Sequence, residues 1–294
     1  MITADNWTDY EVLDAAGGEK LERWGDFILI RPDPQVIWEG HKTLSGWRRP
    51  NAHYHRSAKG GGSWEFFDLP DEWEISYRPL DLRFRLKPFT FKHTGLFPEQ
   101  AANWDWFSDL IQKAERPVKV LNLFAYTGGA TLAAARAGAQ VTHVDASKGM
   151  VSWARENAAA SGLKEAPIRW IVDDCLKFVE REGRRGSRYD AVIMDPPSYG
   201  RGPRGELWKI EETIHALIKA CVNILTEKPL FFLINAYTTG LQPGVLDYFL
   251  KSEMTAVFGG QVNAQELGLP IRGTEEARRQ QLILPCGAAG RWQA

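Results

Sequence analysis

Cysteine is scarce. The 294 residues contain three, Cys175, Cys221 and Cys286, widely spaced and never in a C-x-x-C pair. That argues against a disulfide framework and against a structural zinc site, and fits a reduced compartment. Long apolar runs are missing too: none approaches the roughly 18 residues of a membrane span. The opening MITADNWTDYE is acidic and has no apolar stretch of signal-peptide type. These absences point to a cytoplasmic protein with no membrane partner and no metal. Internal repeats and low-complexity segments are also lacking, and the turn after the first predicted strand of the α/β part carries no G-x-G-x-x-G. What remains, at 44% hydrophobic content, is a chain able to bury a large core and long enough for one big domain and one small one.

Net charge is only -1, but it is unevenly spread. Met1–Glu39 holds nine acids against three bases, whereas Gly40–Trp64 has no acid and carries Lys42, Arg48, Arg49, Arg56 and Lys59. Arg83, Arg85, Lys87 and Lys92 form a second basic block, Arg184, Arg185 and Arg188 a third, and Arg201 and Arg204 lie further on. A neutral chain can still present a basic face. Trp47 and Tyr54 among these cations suit single-stranded RNA; the six tryptophans before residue 74 suit the core of a β domain equally well. His53 and His55 would share one strand face, but with no acid nearby in the sequence they read as solvated rather than metal-binding.

Up to Lys92 the pattern is short and extended, with FILI, WEFF, WEISY and LRFRL between Gly and Pro clusters, so residues 1–92 are expected to form a small β-rich domain. From 93 to 294 strands and helices alternate after a helix opened by Pro98. VKVLNLF, QVTHVDA, IRWIVDD, YDAVIMD and PLFFLINAY read as strands; helices follow the first two and stop at Gly138 and Gly162. Leu207, Ile210, Ile214, Leu217, Cys221 and Leu225 recur at helical spacing. This alternation means an α/β fold with a mostly parallel sheet and helices on both faces. VNAQEL and RRQQLILP, with no helix evident between them, read as a C-terminal antiparallel hairpin.

All five predicted strands end on polar or glycine-rich groups: Phe124-Ala125-Tyr126-Thr127-Gly128-Gly129, Asp145, Asp173-Asp174, Asp195 and Asn235. In an open parallel sheet, ligands bind beyond these carboxyl ends. A glycine loop feeding a helix favours an anion, and Asp145, 17 residues after Gly128, suits the two hydroxyls of a ribose. Phe124 and Tyr126 stand where a dinucleotide loop would have its early glycines. A pyrophosphate needs close backbone approach and an amino-acid tail asks less, so S-adenosylmethionine fits better than NAD. Asp173 and Asp174 are equal candidates on spacing alone, Cys221 lies on an apolar stripe, and Cys175 opens a helix.

VLNLFAYTGGAT, VTHVDAS, WIVDDCLKF and AVIMDPPSYGRG occur in the order and spacing of class I S-adenosylmethionine methyltransferases. With FKHTGLFPEQAANW upstream, the set resembles the bacterial 23S ribosomal RNA methyltransferase family from about Phe91 to Leu284. The resemblance implies a Rossmann-like catalytic domain with a cofactor site drawn from Thr94, Gly95, Phe97, Gln100, Phe124, Ala125, Thr127, Gly128, Asp145, Ala146, Asp174 and Cys175. It implies that Ala125 and Gly128 face the methionine part, Asp145 the ribose and Asp174 the adenine amine, and that Asp195, Pro196 and Pro197 face the methyl acceptor. Three features depart from the family. No PUA domain fits ahead of the β-rich part, Ala101 stands where relatives usually carry Arg, and Thr238 lies at or beside the position where 5-methylcytosine-forming members place a Cys.

Methyl transfer is an in-line displacement, so the protein mainly holds an acceptor lone pair at attack distance and angle. Proline leaves a stiff carbonyl with no competing N–H, which suits Pro196. A carboxylate such as Asp195 can accept a hydrogen bond from an amine and take up developing positive charge. Tyr199, one residue beyond the prolines, offers a ring for stacking. The expected function is therefore S-adenosylmethionine-dependent methylation of a ribosomal RNA base by direct transfer. A protein or small-molecule methyltransferase and a non-catalytic, cofactor-binding RNA chaperone are the alternatives.

Overall fold

The computed structural model describes residues 1–57, 61–89, 92–238 and 240–294; Lys59 and Phe91 lie outside the described residues. Backbone contacts divide the chain into two units, Ile2–Ala102 with Leu267–Cys286, and Met1 with Asn103–Glu266 and Gly287–Ala294.

In the first unit β1 (Ile2–Thr3) pairs with Leu267 and Gly268. A five-stranded sheet follows in the order β2 (Tyr10–Ala16), β3 (Glu19–Trp24), β4 (Phe27–Pro32), β5 (Ala52–Arg56) and β6 (Gly62–Phe66). β7 (Trp73–Tyr77) and β8 (Leu82–Leu86) make a separate hairpin. The alternating WEISY and LRFRL bury Trp73, Ile75, Tyr77, Leu82, Phe84 and Leu86 on one face, as a half-buried strand should. Trp7, Trp24 and Trp73 belong to the core, with the rings of Tyr10 and Trp24 4.6 Å apart. Tyr54 is buried and the Trp47 indole donates to Asp14 at 2.8 Å, so Tyr54 cannot stack on a nucleobase. His53 and His55 do have acids beside them, Glu19 at 2.6 Å and Glu65 at 2.8 Å. Glu65 comes from the neighbouring strand β6 and Glu19 from β3, on the far side of β4, which sequence proximity does not show.

The second unit holds α1 (Ala101–Lys113, straddling the division), β9 (Lys119–Leu123), α2 (Gly129–Arg136), β10 (Gln140–Asp145), α3 (Lys148–Ala160), β11 (Ile168–Val172), α4 (Cys175–Arg184) and β12 (Ala191–Met194). A short hairpin comes next, β13 (Tyr199–Arg201) with β14 (Leu207–Lys209), then α5 (Ile210–Val222), β15 (Phe231–Ala236) and α6 (Pro243–Leu250). A π-helical turn, Lys251–Thr255, continues into α7 (Ala256–Phe258) and β16 (Gln261–Pro270). α8 (Glu275–Gln280) precedes β17 (Ile283–Gln293). The sheet runs β16-β17-β15-β12-β9-β10-β11, with β15, β12, β9, β10 and β11 parallel and β17 antiparallel to β15. This is a Rossmann-like α/β sheet. Its order reverses between β9 and β12, where a ligand crevice is expected. Phe178, Phe232, Ile214, Leu217 and Trp292 pack in one core on these strands.

Two details differ from the sequence pattern. α8 lies between β16 and β17: Thr274 caps it by accepting from Ala277 N at 3.1 Å, and it takes up Arg278–Gln280, so the last strand starts only at Ile283. Leu207 is not on the helical stripe; it sits in β14, exposed, and the apolar face of α5 starts at Ile210. The contact division also falls about ten residues beyond 92/93 and assigns Leu267–Cys286 to the first unit, because β16 and β17 each have one end in either unit.

Candidate active site

The carboxyl ends of β9, β10, β11 and β12 bring together Phe124–Gly128, Asp145 and Ala146, Asp174 and Cys175, and Asp195 to Pro197. Thr94, Gly95, Phe97 and Gln100 fall in the other unit. There the Thr94 hydroxyl is buried without a hydrogen-bond partner among the described residues, the state of a group that awaits a ligand.

The loop after β9 has an unusual backbone. Phe124 (φ 54°), Tyr126 (φ 50°) and Gly128 (φ 92°) are all left-handed. Glycine takes this conformation freely, but for a bulky residue it costs on the order of 1–2 kcal/mol. Neighbouring groups hold the two aromatics in place. Phe124 N donates to Cys175 Sγ at 3.4 Å, and Tyr126 N to Asp145 Oδ2 at 2.8 Å. Asn157 grips Thr127 O at 2.9 Å, and Ala125 N bonds Val144 O at 3.1 Å. Close packing then sets the start of α2, since a Cβ on Gly129 would lie 2.6 Å from the Trp104 ring. Strain held by its surroundings is a mark of a ligand-shaped loop.

Asp145 Oδ1 accepts from Ser147 N at 2.8 Å, so each carboxylate oxygen has one backbone donor and retains a lone pair. Burial pushes its carboxyl up against those two N–H bonds. Asp173 and Asp174 differ in their engagements. Asp173 accepts from Asp174 N at 3.0 Å and is ion-paired with Arg181, whereas Asp174 caps α4 through Oδ1 to Lys177 N at 2.9 Å. Cys175 is buried beneath the loop, and burial raises its thiol.

At the end of β12, Asp195 N reaches Leu123 O at 3.4 Å, Pro196 is buried, and Pro197 and Ser198 are exposed. The Trp208 indole donates to Pro197 O at 2.6 Å, and its ring lies 4.8 Å from that of Phe124. One side chain thus touches both loops that face each other across the order reversal. The sequence pattern misses Trp208; its only signal is an aromatic eleven residues after a double proline. Thr238 donates to Ser198 Oγ at 2.8 Å. At the end of β15 Asn235 accepts from Asn103 at 3.0 Å. Tyr199 is on the hairpin, 57% exposed. Among the described residues no cluster of three or more His, Cys, Asp or Glu could hold a metal ion, and no helix is long and apolar enough to cross a membrane.

The family model of S-adenosylmethionine-dependent methyltransferases matches residues 51–222, more than half of the chain. The chain belongs to this family. A crystal structure of a SAM-dependent methyltransferase from Agrobacterium tumefaciens is similar over 99% of this chain and 92% of its own, with a TM-score of 0.92 and 37% identity. A Streptococcus mutans structure (TM-score 0.66, 20% identity, 97% of this chain and 76% of its own) shares the fold. Among curated relatives, the ribosomal RNA large subunit methyltransferase K/L of Shewanella frigidimarina is 29% identical over 234 residues, 76% of this chain and 31% of that protein. The K/L enzyme of Pseudoalteromonas atlantica is 36% identical over 145 residues, 49% of this chain and 20% of that protein. The methyltransferase spans less than a third of the length of these relatives. Its site fits the family's cofactor: Asp145 can still accept from a vicinal diol, and the left-handed loop beside it carries no pyrophosphate-type glycines.

Proposed function

We propose that this methyltransferase transfers a methyl group to a nucleobase of ribosomal RNA directly, without a covalent enzyme intermediate. The observation that carries the reading is the reversal of strand order between β9 and β12, whose carboxyl ends bear the Phe124–Gly128 loop and Asp195-Pro196, with Asp145 at the end of the adjacent β10. S-adenosylmethionine, when bound, supplies an electrophilic methyl on a sulfonium. Ala125, Thr127 and Gly128 would lie along its methionine part, with Phe124 and Ala146 at the loop edges. Asp145 would accept the ribose hydroxyls. Asp174, whose second oxygen has no donor among the described residues, would take the adenine amine in preference to Asp173. For Thr94, Gly95, Phe97 and Gln100 a cofactor-contacting role rests on the family resemblance; the Thr94 hydroxyl is buried without a partner among the described residues.

On the acceptor side, Asp195 and the Pro196 carbonyl orient the N–H groups of a base so that its lone pair points at the methyl, and Asp195 takes up the developing positive charge. Tyr199 offers its exposed ring for stacking. A nitrogen acceptor needs no thiolate. Burial raises Cys175, Cys221 and Cys286 above the usual thiol range, and the Thr238 hydroxyl donates its hydrogen bond to Ser198 Oγ, which is no base. The curated relatives named as ribosomal RNA methyltransferases support an RNA acceptor. The reaction belongs in the cytoplasm, and residues 1–92 would act as a separate substrate-contacting domain. Incubation with labelled S-adenosylmethionine and ribosomal RNA from a strain lacking the gene, followed by nucleoside mass spectrometry, tests the proposal. A labelled N-methyl base is expected; label in protein alone, or in no RNA, contradicts it.

A further inference from the structure

The β13–β14 hairpin follows the Asp195-Pro196-Pro197 turn directly, and its two faces differ. Tyr199 pairs with Lys209, Gly200 with Trp208, and Arg201 with Leu207. Paired residues in an antiparallel ladder point the same way and alternate along the strand. Tyr199, Arg201, Leu207 and Lys209 therefore share one face, while Gly200 and Trp208 share the other.

The inner face is fixed in position. Trp208 is buried, bonded to Pro197 O and packed on Phe124, and Ile210 N bonds Ser198 O at 3.1 Å. A Cβ on Gly200 would already touch Pro197 and Trp208. The hairpin is thus tied to the acceptor loop rather than hanging free of it.

The outer face is open. Tyr199 is 57% and Leu207 52% exposed, and the Arg201 side chain is exposed with no ion pair among the described residues. Lys209 pairs with Glu212 at 2.8 Å. At the tip, Arg204 is exposed, and Glu206 is held by Lys177 at 2.9 Å and by Arg204 N at 2.9 Å. Two guanidinium groups with no ion pair among the described residues, beside an exposed ring and an aliphatic surface, make a stacking platform with cations placed for a backbone. Charge complementarity selects a polyanion with exposed π-faces as the occupant, that is, single-stranded nucleic acid.

We infer that the outer face of the β13–β14 hairpin binds the single-stranded RNA nucleotides that flank the methylated base. The inference rests on the proposed RNA methyl transfer. The nucleotides next to the target stack on Tyr199 and Leu207, while Arg201 and Arg204 hold their phosphates. Because Trp208 ties the hairpin to Pro197, nucleotides docked on one face are held in register with the acceptor loop on the other.

The test is fluorescence anisotropy of the full chain with a labelled single-stranded RNA of about a dozen nucleotides, within the span of such platforms. The same strand as a duplex and an acidic peptide serve as comparison probes. The variant carries Tyr199→Ala, Arg201→Ala and Arg204→Ala. It should bind the single strand roughly tenfold or more weakly, with a salt slope shallower by about 1.4 for two lost phosphate contacts. Its affinity for S-adenosylmethionine and its unfolding midpoint should match wild type, which shows that it is folded. Lys251→Ala, a distant charge deletion paired with Asp247, should leave RNA affinity unchanged. Wild-type RNA affinity and slope in the triple variant would overturn the inference. So would preference for the acidic peptide, which would make the hairpin a protein-docking surface. Methyl transfer to ribosomal RNA by wild type is scored separately: its absence counts against the parent reading, whereas its presence with an inert hairpin counts against this inference alone.

Discussion

Buried polar groups are engaged differently in the two units. In the first, Glu22 is wholly buried. It accepts from Arg31 Nε at 2.6 Å, Arg31 Nη2 at 2.7 Å and the Tyr10 hydroxyl at 2.7 Å, with Lys20 at 3.6 Å. Its partners are side chains of its own sheet, and they take up its acceptor positions. At the strand ends of the second unit, Asp145 and Asp174 are met mainly by backbone N–H groups of the adjoining turns, and each keeps an acceptor position. A side-chain network that answers itself specifies packing, whereas a carboxylate held by its own turn is aimed and still able to bind. Glu22 is fully buried and Asp145 and Asp174 are half-buried, so the acids with open acceptor positions are also the ones within reach of a ligand.

The sharpest break in this comparison is expected at Asp195. Asp195→Ala should lose on the order of 10² to 10⁴ in single-turnover methyl transfer, with cofactor affinity largely intact. Next comes Glu22→Gln, which removes one partner of a buried charge pair and should cost about 3–5 kcal/mol in urea unfolding. The pH dependence sharpens the assignment. Burial would raise Glu22, but Arg31 and Lys20 outweigh it and hold the carboxyl at about 2, below its ordinary 4.5. Its contribution, about 3 kcal/mol, is therefore complete above pH 4.5 and is lost as pH falls towards 2. The gap between wild type and Glu22→Gln should narrow over that window.

Smaller effects follow. Trp208→Phe keeps a ring against Phe124 but removes the donor to Pro197 O, a net loss of about 1 kcal/mol that should appear as a roughly fivefold drop in kcat/KM. Changing Cys175, Cys221 and Cys286 all to Ser should leave most of the turnover in the folded enzyme. A dead cysteine-free enzyme that still binds cofactor and RNA would overturn the direct-transfer mechanism.

The strand-end row was legible because apolar runs such as AVIM and FFLINA stop abruptly at acids or amides, and a parallel sheet brings those stops to one edge. The left-handed Phe124 and Tyr126 were not legible. Positive φ is expected of Gly, Asn or Asp, and only tertiary partners such as Cys175 and Asp145 sustain it in aromatics. The β13–β14 hairpin was hidden for another reason: three-residue strands around Gly202, Pro203 and Gly205 are too short to show alternation. The Asp173 and Asp174 ambiguity yields only to their partners, which no spacing reveals.

The most direct test is calorimetric binding of S-adenosylmethionine to wild type, Asp145→Ala and Glu22→Gln, each measured on folded protein. Asp145→Ala should lose about 1.5–3 kcal/mol, roughly 10- to 150-fold in affinity, while Glu22→Gln binds as wild type does. Unchanged binding by Asp145→Ala would contradict the account.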